Sequence, residues 1–310
     1  MLIPKRLKRP EISVILTFFN NQREAPRTLK SLAGSFQLNG ANLSYEVIAI
    51  DNGSTQPLDP EMIKSFGKNF RYVFFDAPNP SPCAALNYGV KLARGRLVTI
   101  CIDGARILSP GILHYSSLIS HLYPNPFIYT IAMHIGRKAQ NFLVEENYSQ
   151  VDEDRLLAGI PWQEDGYRLF DISSLALSSR GGYLTTPLES NCMTLTRADY
   201  LRLGGYDERF TSRAGGLSNY DFFKRFISQK GITPVLLLGE ATFHQFHDGT
   251  ASNVALKDHP AKLMEEEYYS IRGEKYTRPF IRPVCFGRLN PHSKDLYFPQ
   301  HHPSELEIPG

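Results

Sequence analysis

The chain has 310 residues, 42% of them hydrophobic, and a formal net charge of +3 at pH 7. This is enough for one large α/β domain or two small ones with a substantial core. The charge is weak and forms no long basic run, so we expect no nucleic-acid partner. We also expect no integral membrane span, because no window approaches the roughly 18 consecutive apolar residues that one needs.

Strands and helices alternate along the first third of the sequence. Apolar, β-branched runs between turn formers predict strands, and apolar residues at helical spacing predict helices. In chain order we predict a strand over 12–17, a helix over 24–36, a strand over 45–50, a helix over 60–66, a strand over 71–75, a helix over 83–93 and a strand over 97–102. This alternation favours an α/β fold with a mostly parallel, doubly wound sheet and helices on both faces.

The pattern loosens after residue 110. We interpret residues 135–188 as an insertion or lid, because 136–185 have no clear period. From Pro279 onward the chain again lacks a period, which predicts an irregular C-terminal tail. The other predicted elements are a helix over 110–122, a strand over 127–134, a strand over 192–195, helices over 197–203 and 218–229, and strands over 232–238 and 241–244.

The chain termini and the cysteines bear on location. Residues 1–10 predict a solvated basic arm that could touch acidic lipid, because they lack the apolar core of roughly 7 or more residues that a secretory signal needs. The four cysteines show neither CxxC spacing nor a dense framework, which is typical of free thiols in a reducing compartment. We therefore expect a cytoplasmic protein, with peripheral membrane contact as an alternative. The basic residues of the arm are Lys5, Arg6, Lys8 and Arg9.

Polar residues stand where predicted strands end. Asp103 follows an apolar strand and precedes Gly104, and in an open α/β sheet ligands bind outside the carboxyl ends of strands. Asp51 and Asn20 occupy similar positions after two other strands. Turn formation is the alternative for both, since Asn and Asp bond their own backbone there. We favour binding for Asp51 and for Asp103, whose alternative is helix capping, and leave Asn20 open.

Five segments in order resemble a family 2 glycosyltransferase with the GT-A fold, and together they cover most of residues 11–250. The resemblance implies a nucleotide-sugar-binding half over 11–134, an acceptor-side half of the same domain over 189–255 and a C-terminal extension over 256–310. The segments are ISVILTFFN (12–20), EVIAIDNGST (46–55), 79–89 leading to ARG (93–95), the Asp103 strand end and GGYDERF (204–210).

The resemblance also implies an activity. A sugar would pass from a nucleoside diphosphate sugar, such as a UDP-sugar, to a hydroxyl of a glycan or other acceptor, by an inverting single displacement. Arg106 could bring a permanent cation to the diphosphate, although a surface salt bridge explains it equally well. The implied donor-binding residues are Thr17, Asn20, Asp51, Asn87 and Asp103, to which we add Arg106.

The metal motif departs from the family pattern. The family usually carries Asp-x-Asp, whereas this chain has Asp103-Gly104-Ala105. One carboxylate is a poor site for Mg²⁺ or Mn²⁺, although diphosphate and water can supply further oxygens. His244 and His247, three residues apart, could join Asp103 on a metal or donate to phosphate. The alternative is a solvated His244, so metal dependence stays open.

The base motif is altered as well. Family members commonly carry Glu-Asp-x-Asp-Leu where this chain has Ser-Asn-Tyr-Asp-Phe over 218–222. Asn219 cannot accept a proton as a base. We predict Asp221 or Glu189 as the catalytic base, although Asp221 also suits a first-turn helix carboxylate that pairs with Arg225.

Two other functions are alternatives to sugar transfer. The changes at Ala105 and Asn219 are also compatible with a catalytically inactive GT-A scaffold that binds nucleotide or glycan and supports a partner enzyme. A nucleotidyltransferase of similar fold fits less well, because the early Gly-rich, Lys-bearing triphosphate loop is missing. The Gly-x-Gly-x-x-Gly dinucleotide motif is also absent after the first strand.

Overall fold

A computed structural model describes residues 9–247 and 249–297, and these residues form a ten-stranded sheet flanked by helices. The strands are β1 (Ile12–Phe18), β2 (Tyr45–Asp51), β3 (Phe70–Phe74), β4 (Leu97–Cys101), β5 (Arg106–Leu108), β6 (Pro126–Ile135), β7 (Ser173–Leu175), β8 (Cys192–Thr196), β9 (Thr233–His244) and β10 (Val284–Gly287). The helices are α1 (Ala25–Ser31), α2 (Pro60–Ser65), α3 (Cys83–Leu92), α4 (Ile112–Leu122), α5 (Gln140–Leu143), α6 (Gln150–Ala158), α7 (Arg197–Arg202), α8 (Ser218–Ile227) and α9 (Ala261–Arg272).

The sheet has the order β10-β9-β6-β8-β4-β1-β2-β3, with β5 paired to β9 and β7 paired to β6. Strands β4, β1, β2 and β3 are parallel to one another, and so are β6, β9 and β10. The short strands β5 and β7 pair antiparallel with β9 and β6. β8 lies antiparallel between β4 and β6. The carboxyl ends of β1, β4, β6 and β9 therefore meet at one edge, and the start of β8 joins them.

Helices cover both faces of the sheet, as the α/β alternation predicts. One core layer packs α3 and α8 against the sheet through Leu86, Val90 and Phe222. The other packs α1, α2 and α4 against it through Leu29, Ile63 and Ile112. Burying the two faces of each central strand in different layers explains why these strands read as continuous apolar runs. The mostly parallel, doubly wound α/β fold is confirmed.

Several element bounds differ from prediction. Helix α1 ends at Ser31 rather than at residue 36. The two strands predicted over 232–238 and 241–244 are one strand, β9, whose pairing with β6 shifts register near Gly239. That glycine has φ +76°, and a Cβ would lie 2.1 Å from the Arg288 carbonyl oxygen, so the bulge requires glycine there.

Six of the described strands and α-helices were not predicted: β5, β7, β10, α5, α6 and α9. Helix α6 lies in the predicted lid and begins at a capping box between Ser149 and Asp152, a signal that its charged sequence obscured. In the predicted tail, β10 adds to the sheet beside β9, and α9 precedes it. Residues 1–8 of the basic arm and residues 298–310 lie outside the described residues. No helix in the described ranges combines the length and apolar character needed to cross a membrane.

Candidate functional site

A cavity of about 890 Å³ opens at the edge where the strand ends meet. Its walls come from the exits of β1, β4, β6 and β9, from the segment before β8, and from the start of α8. The predicted site residues that line it are Thr17, Asn20, Asp103, Arg106, Glu189, His244 and His247. Asp51, Asn87 and Asp221 do not line it.

Asp103 lies at the turn between β4 and β5. One oxygen accepts the backbone N–H of Ala105 at 2.9 Å, and Oδ2 lies 3.2 Å from Arg106 Nε and 3.2 Å from His244 Nε2. Burial alone would raise the pKa of Asp103, yet the charge of the neighbouring Arg106 guanidinium holds it well below its usual range. The carboxylate is therefore charged and centrally placed.

Arg106 is a buried cation with unused donors. It is 5% exposed, lines the cavity, and its Nη1 has no hydrogen-bond partner among the described residues. β5 pairs with β9 so that Arg106 stands opposite His244. Because burying an unpaired donor is costly, this guanidinium suits an anionic group that enters the cavity. The alternative for Arg106, a surface salt bridge, is wrong in one respect, because the guanidinium is buried and pairs with the partly buried Asp103.

Gln140 fixes the state of the His244 ring. The Gln140 amide nitrogen donates to Ile135 O and His244 O, so its oxygen faces His244 Nδ1 at 2.6 Å and accepts that proton. Burial, followed by the charge of Arg106, lowers the pKa of His244 to about 3. The neutral ring therefore turns the Nε2 lone pair toward Asp103 Oδ2 and toward His247 Nε2, which lies 3.1 Å away. The alternative of a solvated His244 is wrong, because the residue is 2% exposed.

These side chains fit a divalent cation. Ligand atoms of Asp103, His244 and His247 lie within 4.8 Å of one another. The His244 Nε2 lone pair faces Asp103 Oδ2 at 3.2 Å with no proton between them, and a cation bound to both atoms would relieve their repulsion. The mixture of one carboxylate and two imidazoles suits Mn²⁺ better than Mg²⁺, which prefers oxygen. The neighbouring Arg106 opposes a second positive charge, so any such site is weakened.

The polar residues at the β1 exit contact their neighbours as well as the cavity. Thr17 donates its hydroxyl to Ile102 O at 2.6 Å, which joins β1 to β4. Asn20 adopts φ 52°, and its Oδ1 accepts the backbone N–H of Thr55 at 3.0 Å. Asn20 thus supports the loop after β2 while it lines the cavity, which combines the two expectations for it.

Asp51 and Asn87 lie away from the cavity lining. Both oxygens of Asp51 accept backbone N–H groups, from Ser54 and Leu58, each at 2.9 Å. Asn87 bonds the segment after α7, accepting the Tyr206 N–H at 3.1 Å and donating to Tyr206 O at 2.9 Å. Turn formation, the alternative for Asp51, is what the contacts show. Donor binding by either residue stays a prediction.

Glu189 contributes a carboxylate to the cavity from the segment before β8. Its Oε2 accepts the Asn219 amide at 2.5 Å, and Asn191 Nδ2 lies 3.5 Å from the other oxygen. Burial raises the pKa of Glu189, and the Asn219 bond and the charge of Arg106 offset part of that rise. A carboxylate that binds protons more readily than usual is suited to general-base chemistry.

Asp221 forms a buried ion-pair cluster. It is 1% exposed, and its oxygens accept Arg225 Nε at 2.7 Å and Arg272 Nε at 2.6 Å. The i,i+4 pair with Arg225 is the structural alternative that the sequence offered, and Arg272 of α9 adds to it. Asp221 therefore stabilises the packing of α9 on α8. Catalysis by Asp221 stays a prediction that its position outside the cavity does not support.

Sequence reasoning missed two polar residues of the site. His134 lines the cavity with its ring centroid 5.3 Å from that of His244, and its Nδ1 accepts the Gln140 N–H at 2.9 Å. His134 is the penultimate residue of β6, so the strand-end rule that singled out Asp103 could have found it. Gln140 carried no such signal, because its role depends on contacts between β6 and β9.

A family model, Glycosyl transferase family 2, matches residues 13–169, half of the chain. The chain belongs to this family. The matched residues include most of β1, all of β2 to β6 with the Asp103 turn, and the larger part of the predicted lid. The resemblance read from the sequence is thereby confirmed.

Two curated members of related sequence are validoxylamine A glucosyltransferases from Streptomyces hygroscopicus, of the subspecies limoneus and jinggangensis. Each is 27% identical over 221 residues, which cover 66% of this chain. The matched part is 46% of one relative and 49% of the other. The chain thus spans about half the length of these relatives.

Solved structures of similar fold include TarS 1–349 of S. aureus. Its complex with UDP superposes with a TM-score of 0.51 at 12% identity, over 84% of this chain and 63% of TarS 1–349. Its complex with UDP-GlcNAc gives a TM-score of 0.50 at 12% identity, over 84% and 66% respectively. At such identity the likeness establishes the GT-A type of fold.

Proposed function

We propose that this chain transfers a sugar from a nucleoside diphosphate sugar of the UDP-sugar class to an acceptor hydroxyl, with inversion. One observation carries the proposal: a single cavity has a buried, incompletely bonded cation on one wall and a carboxylate on another. The cation is Arg106 and the carboxylate is Glu189. A leaving diphosphate needs the first, and an attacking hydroxyl needs the second.

The donor would lie along the strand ends. Thr17 and Asn20 stand at the β1 exit, where they would face the nucleoside, and Asp103 would face the ribose and diphosphate. Arg106 would donate to the diphosphate as charge develops on it. The solved complexes of TarS with UDP and UDP-GlcNAc support this donor class, and the curated relatives named as glucosyltransferases support a hexose.

Asp103, His244 and His247 would hold a divalent cation if one takes part. When bound, it would offset negative charge on the leaving diphosphate. Gln140 supports the arrangement from outside by holding the His244 proton on Nδ1. Arg106 supplies part of the same positive charge without a metal.

Glu189 would act as the base. Its carboxylate would accept the proton of the acceptor hydroxyl as that oxygen bonds to the anomeric carbon and the bond to the diphosphate oxygen breaks. Attack from the wall opposite the leaving group inverts the anomeric centre. The alternative of an inactive scaffold rests on Ala105 and on Asn219, and a base at Glu189 would remove the second of these two reasons.

Different segments of the chain would bind the donor and the acceptor. We propose that residues 11–134 bind the nucleotide sugar and that 189–255 form the acceptor side. The lid over 135–188 brings Asn141, Gln150 and Leu177 to the cavity, and the extension over 256–310 brings Met264 and Tyr276. These segments would close the acceptor end and determine which acceptor enters.

Calorimetry with UDP-, GDP- and TDP-sugars, with and without Mn²⁺, tests the proposal together with an assay of donor hydrolysis and transfer. We expect a UDP-sugar to bind and to turn over, and we expect Asp103→Ala to abolish both donor binding and turnover. Asp76→Ala on the exposed surface is the control. Absence of binding by every donor would overturn the proposal. Binding without turnover under any condition would favour the scaffold.

A further inference from the structure

The amide of Asn219 is fully bonded. Its Nδ2 donates to Glu189 Oε2 at 2.5 Å and to Ser190 O at 2.9 Å, and its Oδ1 accepts the Tyr206 hydroxyl at 2.7 Å. Rotating the amide by half a turn would direct Oδ1 at the Glu189 carboxylate and at a carbonyl. The Tyr206 hydroxyl and the Ser190 carbonyl therefore select the orientation in which Asn219 donates to Glu189.

Tyr206 is held by the motif that precedes it. Gly204 and Gly205 adopt φ +83° and +62°, and a Cβ on Gly205 would lie 2.5 Å from Asn87 Oδ1. This left-handed turn brings Tyr206 inward, where it is 1% exposed and stacks on Phe222 with ring centroids 4.3 Å apart. The ring is thus fixed by packing and not by its hydroxyl, and the hydroxyl donates to Asn219 Oδ1.

We propose that Tyr206 and Asn219 are positioning residues that together hold the Glu189 carboxylate, ionised and aimed at the acceptor hydroxyl. The inference rests on the proposed function and deepens it. Asn219 takes the place where family members carry their base, and its amide instead orients a carboxylate contributed by the segment before β8. The carboxylate that would accept the proton belongs to Glu189, and Tyr206 and Asn219 would determine its orientation.

The charged and titratable groups around Glu189 determine how loss of the Asn219 bond would alter the pH profile. Arg106 on β5 favours the ionised form, and Asp103 at the β4 exit opposes it. Tyr220 of α8 and Tyr276 after α9 lie close enough that the Glu189 charge contributes to their raised pKa values. The Asn219 bond lowers the Glu189 pKa, so losing that bond moves the acidic limb of kcat/KM to higher pH.

Tyr206→Phe is the sharper variant, because it keeps the stack on Phe222 and removes only the hydroxyl. We expect kcat/KM to fall about five- to tenfold, the acidic limb to move to higher pH, and the donor Kd from calorimetry to stay the same. Tyr45→Phe is the matched control. It removes a buried tyrosine hydroxyl that donates to Leu32 O away from the cavity, and should leave the pH profile unchanged.

Asn219→Asp separates positioning from base replacement. A second carboxylate beside Glu189 Oε2 would make the pair share a proton, so we expect the acidic limb to move up by about one pH unit or more. Wild-type or higher kcat/KM with an unmoved limb would overturn the proposal, and so would full activity of Tyr206→Phe.

A ¹³C NMR titration of the side-chain carboxylates, with Glu189→Gln used for assignment, reports the same arrangement without turnover. We expect the Glu189 midpoint to rise in Tyr206→Phe and in Asn219→Asp. An unmoved midpoint in both variants would overturn the positioning role. If wild type binds donor but transfers to no acceptor, the proposed function fails, and the titration still shows whether this pair holds Glu189.

Discussion

The two halves of the sheet hold their buried carboxylates in different ways. In the parallel half, Glu46 on β2 accepts Arg94 Nε at 3.0 Å and the Ser13 hydroxyl at 2.7 Å. In the acceptor half, Glu240 on β9 accepts the Ser109 and Tyr167 hydroxyls and the Gly111 N–H. Glu189, like Glu240, accepts hydrogen bonds from neutral groups, which in its case are the side-chain amides of Asn219 and Asn191.

The difference changes how these groups titrate. Burial opposes ionisation of Glu46, but the Arg94 and Ser13 bonds lower its pKa. Burial raises the pKa of Glu189 and raises that of Glu240 to about 7. Glu46 is therefore a fixed charge that stabilises the fold, whereas Glu240 can exchange a proton near neutral pH and Glu189 binds a proton more readily than an ordinary glutamate. Four experiments test this contrast.

Removing the exchangeable proton site in the cavity should have the largest effect. We expect Glu189→Gln to lower transfer by about 10²- to 10⁴-fold, the usual contribution of a general base, with the donor Kd unchanged. Steady-state assays and calorimetry measure the two quantities, and Glu266→Gln on the exposed face of α9 is the control. Retention of activity within tenfold would break the contrast, because Glu189 would then be structural.

Arg106→Gln tests the cation on the other wall. We expect donor affinity to fall about 10- to 100-fold, because a charge-assisted bond to the diphosphate is lost, while wild-type affinity persists in EDTA. Calorimetry with a UDP-sugar, with and without EDTA, measures this. Exposed Arg137→Gln serves as the comparison variant. Complete loss of wild-type binding in EDTA would show that a metal, and not Arg106, carries the charge.

Glu240→Gln tests the acceptor half without touching the cavity. The folded pKa of about 7 exceeds the ordinary 4.5, so the folded state binds more protons, and the free energy of unfolding falls as pH rises through this window. The part of this fall that belongs to Glu240 should be on the order of 2–3 kcal/mol and should be missing in Glu240→Gln. The part from Glu153, whose pKa burial also raises to about 7, should persist in the variant. Urea unfolding at pH 5 and pH 8 measures it, and an equal fall in the variant would refute the assignment to Glu240.

Glu46→Gln should give the smallest effect, with the opposite dependence on pH. The folded pKa is lowered, so the stabilisation is present above the ordinary value of 4.5 and is lost as pH falls below it. We expect a loss of about 1 kcal/mol at pH 7, because the Arg94 and Arg71 partners are partly solvated. The exposed pair of Glu61 and Lys64 provides a control in Glu61→Gln. A larger loss at pH 4 than at pH 7 would contradict the sign.

The same contrast explains what the sequence could predict. The β1 to β4 strands and their helices follow local rules, since each strand is a continuous apolar run and each helix has an apolar stripe. The strand-end rule found Asn20 and Asp103, the family resemblance added Thr17, and the spacing to His247 together with the resemblance added His244. The structure brings all four to one cavity. Where a site depends on strand direction alone, sequence reasoning reaches the right edge of the sheet.

The remaining features depend on distant pairings. β5 has three residues and β10 has four, and each exists because it pairs with β9. The direction of a side chain is also nonlocal: Asp51 turns toward its own loop, and Asp221 toward α9. The sequence offered Glu189 and Asp221 equally as bases, because nothing local shows which carboxylate faces the cavity.

The short β5 strand links the donor wall to a much later part of the chain. Because side chains alternate along a strand, a slip of one residue in its pairing with His244 would turn Arg106 away from the cavity. Pairs so distant in sequence are costly to close and tend to form late in folding. Donor binding would then report the final closure of the sheet, and a chain halted before β9 would already contain Asp103 while lacking the surroundings that make it a binding group.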